Sequence, residues 1–405
     1  MKILIVDNMF SNLTTHLDAA GGFERRNLTD AYLLAEAGHE VYYTYCGDRV
    51  DDSDFPFKPV FMVKHLAEND LIGAAKWRGL VKKRMIAFLS SVDVDVVLFG
   101  SNTMMALASE ILKSKPLVVH VASFLTGNGF IDSGRMSQFY KLSKSGAYFV
   151  FNTNTTAHRF MDQAKDQAAK LIKNPTFEQH VRVFKAYLRM QSIADHVNSN
   201  NMGVGLVGRK DEVILSDKGY AVIACRADPA KMAHRFAKVE FPLKVFFKSR
   251  AVSHKKDFLN TTMLAFEKNP NIKVYLDRPY EEIMMAFRKA RCCIVSWPDE
   301  TFGLTAFEAA SFGVPSIVMK RDKKDLNATV EFLSQVGGSV KVVHYGAGWN
   351  KSLTAAFNDL GESASKDERI ELATAFAKRY SKDAYIKEKV RCLKAAVSKH
   401  QEVHS

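Results

Sequence analysis

The segment Glu300-Thr-Phe-Gly-Leu-Thr-Ala-Phe-Glu308 places two carboxylates either side of a glycine, and it is where side chains can do chemistry. The apolar run Cys292–Ser296 before it reads as a buried strand. Phe302, Leu304, Phe307, Ala310 and Ser311 then recur at helical spacing. Gly313 and Pro315 stop that helix and open a further strand at Pro315–Met319. Glu300 is thus predicted in the loop entering the helix, and Glu308 about two turns along it. A helix start offers unpaired N–H groups and a positive dipole end. Gly303-Leu304-Thr305 therefore suits an anion, and Gly303 lets it approach the backbone closely. Two acids framing an anion fit a diphosphate with hydroxyl-rich sugars on either side.

The elements that must hold this segment alternate between strand and helix. Lys2–Asp7 is an apolar strand, Gly21-Gly22 precedes an amphipathic helix ending at Gly38, and Val41–Tyr45 completes a βαβ unit. Further strands are predicted at Asp95–Phe99, Leu117–Ala122, Ala147–Asn152, Gly219–Ala224, Leu243–Lys248, Ile272–Asp277 and Val340–His344. Arg250 and Lys255 follow Leu243–Lys248 on the loop before a helix at Asp257. They pair a planar fork for phosphate oxygens with a mobile point charge.

Glu-x7-Glu with an internal Phe-Gly-Leu and a trailing Gly-x-Pro resembles the retaining, family-4-type glycosyltransferases of GT-B fold. The resemblance implies an α/β architecture of two Rossmann-like, doubly wound domains facing a central cleft. Residues 1–235 are expected to bind acceptor, with a helical insertion at about 160–215 and a C-terminal helix at about 383–400 returning to them. Residues 236–382 are expected to bind a nucleotide sugar. On this reading Gly219–Ala224 is the last strand of the first domain, and Ala227-Asp228-Pro229 precedes the linker.

The family places an Arg and a Lys five residues apart after the first strand of its second domain, to clamp the diphosphate. Arg250 and Lys255 match that spacing, although Lys256 stands where the family has Gly and leaves open which lysine points inward. The resemblance further implies that Gly21 and Gly22 let the backbone approach the donor phosphate. It puts His120 beside the donor sugar, with Glu300 on sugar hydroxyls, Glu308 on the ribose, and Phe302, Gly303, Leu304 and Thr305 lining the donor site. It implies retention of configuration, and a UDP-sugar as co-substrate with no cofactor. Asp93-Val-Asp95 has the spacing of a metal-binding pair but leads into a buried strand, so metal-independent chemistry is expected.

The 405 residues are 47% hydrophobic and carry a formal charge of +13. That supports two cores, a monomer, and affinity for a polyanion. Apolar runs are of strand length, so no membrane insertion is expected. Five cysteines show neither disulfide nor zinc spacing, which fits a reducing cytoplasm, that of a host cell if a phage encodes the chain. Residues 151–240 hold 14 basic against 9 acidic residues. The expected acceptor is double-stranded DNA, by similarity to phage enzymes that load sugars onto hydroxymethylcytosine-type bases, with the base rotated out of the duplex. One alternative is polysaccharide or glycolipid synthesis at the inner membrane face, for which Ala75–Leu89, with Trp77 and Phe88, is a candidate interfacial helix. The other is a non-catalytic nucleotide-sugar or DNA-binding module.

Overall fold

A computed structural model describes residues 1–6, 22–46, 48–63, 71–99, 105–121, 142, 145–151, 219–249, 256–298, 300, 303–321, 327–337, 340–363 and 365–405. The chain divides into two units, Met1–Val204 with Lys382–Ser405, and Gly205–Ser381.

The first unit is built on a six-stranded parallel sheet. Its strands are β1 (Lys2–Val6), β2 (Glu40–Cys46), β3 (Lys58–Val63), β4 (Val96–Phe99), β5 (Leu117–Val121) and β6 (Tyr148–Phe151), in the order β3-β2-β1-β4-β5-β6. Strand side chains alternate between two cores. Leu4, Val97, Phe99, Val119 and Phe149 face Val81 and Met85 of α2 (Leu71–Ser91) and Leu107 and Ile111 of α3 (Met105–Leu112). Ile3, Ile5, Leu98, Val118 and Val150 face the other way. They pack on Ala31 and Leu34 of α1 (Gly22–Glu36), and on Cys392, Leu393 and Ala396 of the last helix, Lys382–His404. Cover on both faces explains why β4 is an unbroken apolar run with no polar alternation. The last helix is fixed to α1 by a buried ion pair, Lys389 Nζ to Asp30 Oδ2 at 3.2 Å. The Tyr385 hydroxyl donates to the same carboxylate.

The second unit repeats the plan. Its strands are β7 (Ala221–Arg226), β8 (Leu243–Lys248), β9 (Ile272–Leu276), β10 (Cys292–Val295), β11 (Ser316–Lys320) and β12 (Val340–His344), in the order β12-β11-β10-β7-β8-β9. The helices are α4 (Lys256–Glu267), α5 (Tyr280–Arg288), α6 (Leu304–Ser311), α7 (Ala328–Gln335), α8 (Trp349–Ser363) and α9 (Lys366–Arg379); the last helix of the chain is α10. The strand expected to close the first domain is corrected here: β7 pairs with β8 and β10 and is a central strand of the second sheet. The second unit therefore begins before residue 236. A buried parallel strand carries the same apolar signature in either sheet, so only its pairing partners place it. Residues 160–215, expected as a helical insertion, lie outside the described residues.

In both sheets the strand order reverses at the centre, between β1 and β4 and between β7 and β10. Such reversal points open at the carboxyl ends of their strands and are where doubly wound sheets take ligands.

Candidate active site

Beyond β10 the chain runs through Ser296, Trp297 and Pro298 to Glu300 and then into α6. Gly303 begins α6 with φ 84° and ψ 56°, a left-handed conformation open to glycine. A Cβ there would stand 2.0 Å from Thr329 Oγ1, so Gly303 is required by space as well as by φ. Its carbonyl accepts from the amides of Ala306 (2.9 Å) and Phe307 (3.0 Å), which starts the helical ladder. The N–H groups of Gly303, Leu304 and Thr305 then precede any helical acceptor and form the positive end of α6.

The start of α7 holds the preceding loop. Asn327 Oδ1 accepts from Thr329 N at 3.0 Å, and its Nδ2 donates to the Pro298 carbonyl at 3.1 Å. The Ala328 amide donates to the Glu300 carbonyl at 3.3 Å. Inside α6, Glu308 is 2% exposed and its Oε1 accepts from the Tyr280 hydroxyl at 3.1 Å. Phe307 anchors the helix among Phe332, Phe376 and Tyr380. Past the helix, a Cβ on Gly313 would meet the Arg369 carbonyl at 2.0 Å, so α6 and α9 approach more closely there than any side chain allows.

A cation faces Glu300 from the neighbouring central strand. After β7, Asp228 caps a short 3-10 turn, Pro229–Lys231, through the Ala230 amide at 2.9 Å. This brings Lys231 Nζ to 3.3 Å from Glu300 Oε2 and 3.7 Å from the Trp297 ring centroid. The backbone is tied at the same place. Ser296 Oγ donates to the Lys231 carbonyl at 2.6 Å, and the Tyr345 hydroxyl donates to the Ser296 carbonyl at 2.7 Å. Burial pushes the Cys225 thiol up to about 12, with Lys231 and Arg226 pulling it down and Glu300 and Asp228 pushing it up. Cys225 therefore stays a protonated thiol beside these four charges.

The structure thus brings together Glu300, Gly303, Leu304, Thr305 and Glu308 of the sequence-predicted set. Gly21, Arg250, Lys255 and Phe302 lie outside the described residues, and Gly22 is the first residue of α1. His120 belongs to β5 of the first unit, where it is 1% exposed and opposite Val150. Asp93 pairs with Lys115 at 2.5 Å, and Asp95 accepts from the Lys2 amide at 2.7 Å. Both acids precede β4 at its amino end, the end opposite a doubly wound ligand site. Among the described residues no cluster of three or more metal-ligating side chains occurs.

Sequence reasoning missed Lys231. The first strand of the second sheet is β7; Arg226 is its last residue and Lys231 lies five positions on. The signal was present, in an apolar run ending on Arg-Ala-Asp-Pro-Ala-Lys. A reading that gives this strand to the first domain hides the pair.

No protein-family model matches the chain, and no curated protein matches its sequence. Solved structures do. The catalytic domain of starch synthase IV from Arabidopsis thaliana, bound to ADP and acarbose, superposes with a TM-score of 0.63 at 12% identity, covering 98% of this chain and 99% of that one. Sucrose-phosphate synthase from Thermosynechococcus elongatus gives 0.62 at 12%, covering 100% and 98%. HepE of Anabaena in complex with UDP gives 0.62 at 12%, covering 97% and 100%. With the two doubly wound sheets, these likenesses define the fold as GT-B.

Proposed function

We propose that the chain is a retaining, metal-independent glycosyltransferase that takes a sugar from a nucleoside diphosphate donor, a UDP-sugar, bound in its second unit. The observation that carries this reading is the Lys231–Glu300 pair at the carboxyl ends of the two central strands, next in sequence to the N-terminal end of α6. HepE, which shares the fold, has been solved with UDP and with UDP-glucose, and this supports the choice of donor.

In the proposed reaction Arg226 and Lys231, with the amides at Gly303–Thr305, take up the charge that grows on the leaving diphosphate. Preorganised charge of this kind commonly supplies the largest share of such a rate enhancement. Glu300 grips sugar hydroxyls and Glu308 the ribose. Arg250 and Lys255, which follow β8 in sequence, are the competing clamp. Gly21, Gly22 and Phe302 keep the donor-binding roles the resemblance implies, and His120 that of a donor-sugar contact.

The acceptor in this reading is a hydroxyl of a hydroxymethylcytosine-type base in double-stranded DNA, supported by the charge of +13. A second reading, transfer to a glycan or glycolipid at a membrane face, is favoured by α2. Leu80 and Ile86 are each 44% exposed there, beside exposed Lys83. Among the described residues no helix is long and apolar enough to cross a membrane. Incubating the protein with a panel of nucleotide sugars and either modified DNA or lipid-linked acceptors, read by mass spectrometry, tests both. Product on DNA alone supports the first reading and product on lipid alone the second. Absence of nucleotide-sugar turnover with every acceptor rejects transferase activity.

A further inference from the structure

A cluster of lysines lies on the second unit at the other end of its sheet from Glu300. Lys244, the second residue of β8, stands in register with Lys273 on the edge strand β9. Like charges directly across a strand pair destabilise it. Lys289, just past the carboxyl end of α5, is a third member close enough to act on Lys244. The α5 dipole offsets part of the Lys289 charge; Lys244 and Lys273 have no such help. Among the described residues none of the three forms an ion pair with a carboxylate.

The cluster is built into the fold. Lys244 Nζ sits 3.7 Å from the Tyr220 ring centroid, and the Tyr220 hydroxyl is fixed by the Ala286 carbonyl of α5 at 3.1 Å. Two residues along, Phe246 stacks on Tyr275 at 4.7 Å and continues the same face. Alternation puts Leu243, Val245 and Phe247 in the core on the opposite face. Burial, then the charges of Lys273 and Lys289, hold the Lys244 ammonium below the usual lysine range. An incoming anion relieves that repulsion.

We propose that Lys244, Lys273 and Lys289 form a docking surface for the phosphodiester backbone of duplex DNA, separate from the donor site. Charge complementarity selects the occupant, because three compact ammonium groups match phosphate oxygens and read no sequence. The assignment rests on the DNA-acceptor reading and adds a grip on the duplex away from the reacting base.

The test measures binding of a fluorescent duplex of about 20 base pairs between about 50 and 200 mM salt. It compares the full chain, K244Q/K273Q/K289Q, and K273Q/K289Q, which leaves the Lys244–Tyr220 packing untouched. The triple variant is expected to bind about tenfold more weakly or worse, with the slope of log affinity against log salt reduced by about three. The double variant falls between, and hydrolysis of the nucleotide sugar is unchanged in both. Equal DNA binding by all three proteins overturns the docking surface while leaving the acceptor reading standing. No DNA binding by the unaltered chain overturns both. Because Met285 is exposed on α5, phosphatidylglycerol vesicles form a parallel arm. Loss of vesicle binding with DNA binding intact overturns the proposal in favour of a membrane surface.

Discussion

Lys231 and Glu300 neutralise one another across the two central strands of the second sheet, 3.3 Å apart and with less than a fifth of either side chain exposed. In the proposed reaction a diphosphate must compete with Glu300 for Lys231, and drawing the lysine off would free the carboxylate for sugar hydroxyls. Glu300→Gln is accordingly expected to bind UDP about fivefold more tightly, about 1 kcal/mol for a partly exposed pair, while transfer is lost. Titration calorimetry reads the affinity. Weaker binding of UDP by the variant means the pair does not stand in the diphosphate's way.

Two Arg/Lys pairs are candidates for the proposed clamp, and kinetics separate them. Lys231→Ala is expected to lower kcat/KM by at least about a hundredfold, as for loss of one preorganised charge contact. Lys255→Ala is expected to cost less than about tenfold. The opposite ranking returns the proposed clamp to Arg250 and Lys255.

Gly303→Ala combines a strained φ with a collision at Thr329. It is expected to cost about 2 to 3 kcal/mol, read from urea denaturation. Thr329→Ala in the same chain removes Oγ1 and is expected to recover part of the loss. No recovery would mean that the φ alone requires glycine.

Lys389 and Asp30 are 2% and 0% exposed. Lys389→Met leaves Asp30 a buried acid short of its cation, and a loss of about 3 to 5 kcal/mol is expected. Asp30→Asn with Lys389→Met removes both charges, and a smaller loss is expected from the double change. If the double variant is as unstable as the single one, the desolvated charge is not the cause.

Transfer is expected to survive excess EDTA, because Lys231, Arg226 and the α6 dipole are assigned the charge that a divalent ion carries in other transferases. Activity that vanishes with EDTA and returns with magnesium or manganese removes that assignment.

Much of the second unit was legible in its sequence. The apolar run Cys292–Val295, Gly303 and the helical spacing from Leu304 placed β10, the Glu300 loop and α6 within a residue or two, because each signal is local. The last helix was legible for the same reason. The place of β7 was not, since a strand covered on both faces carries no mark of which neighbours it joins. The sheet that β7 joins decides whether Arg226 and Lys231 or Arg250 and Lys255 follow the first strand of the second unit, and only long-range pairing sets that. The contact of Lys231 with Trp297 joins residues 66 positions apart, and no periodicity reports a meeting at that range. Lys244 and Lys273 are likewise an ordinary pair of charges until strand register sets them side by side.

The chain begins one half of the molecule, builds the other half whole, and then returns. When the ribosome has reached residue 381 the second unit is complete. The first sheet still shows water the part of its surface, around Leu98, Val118 and Val150, that α10 will cover. Strands of the first unit therefore depend for shelter on a helix translated only after the whole second unit, which acts as their keystone.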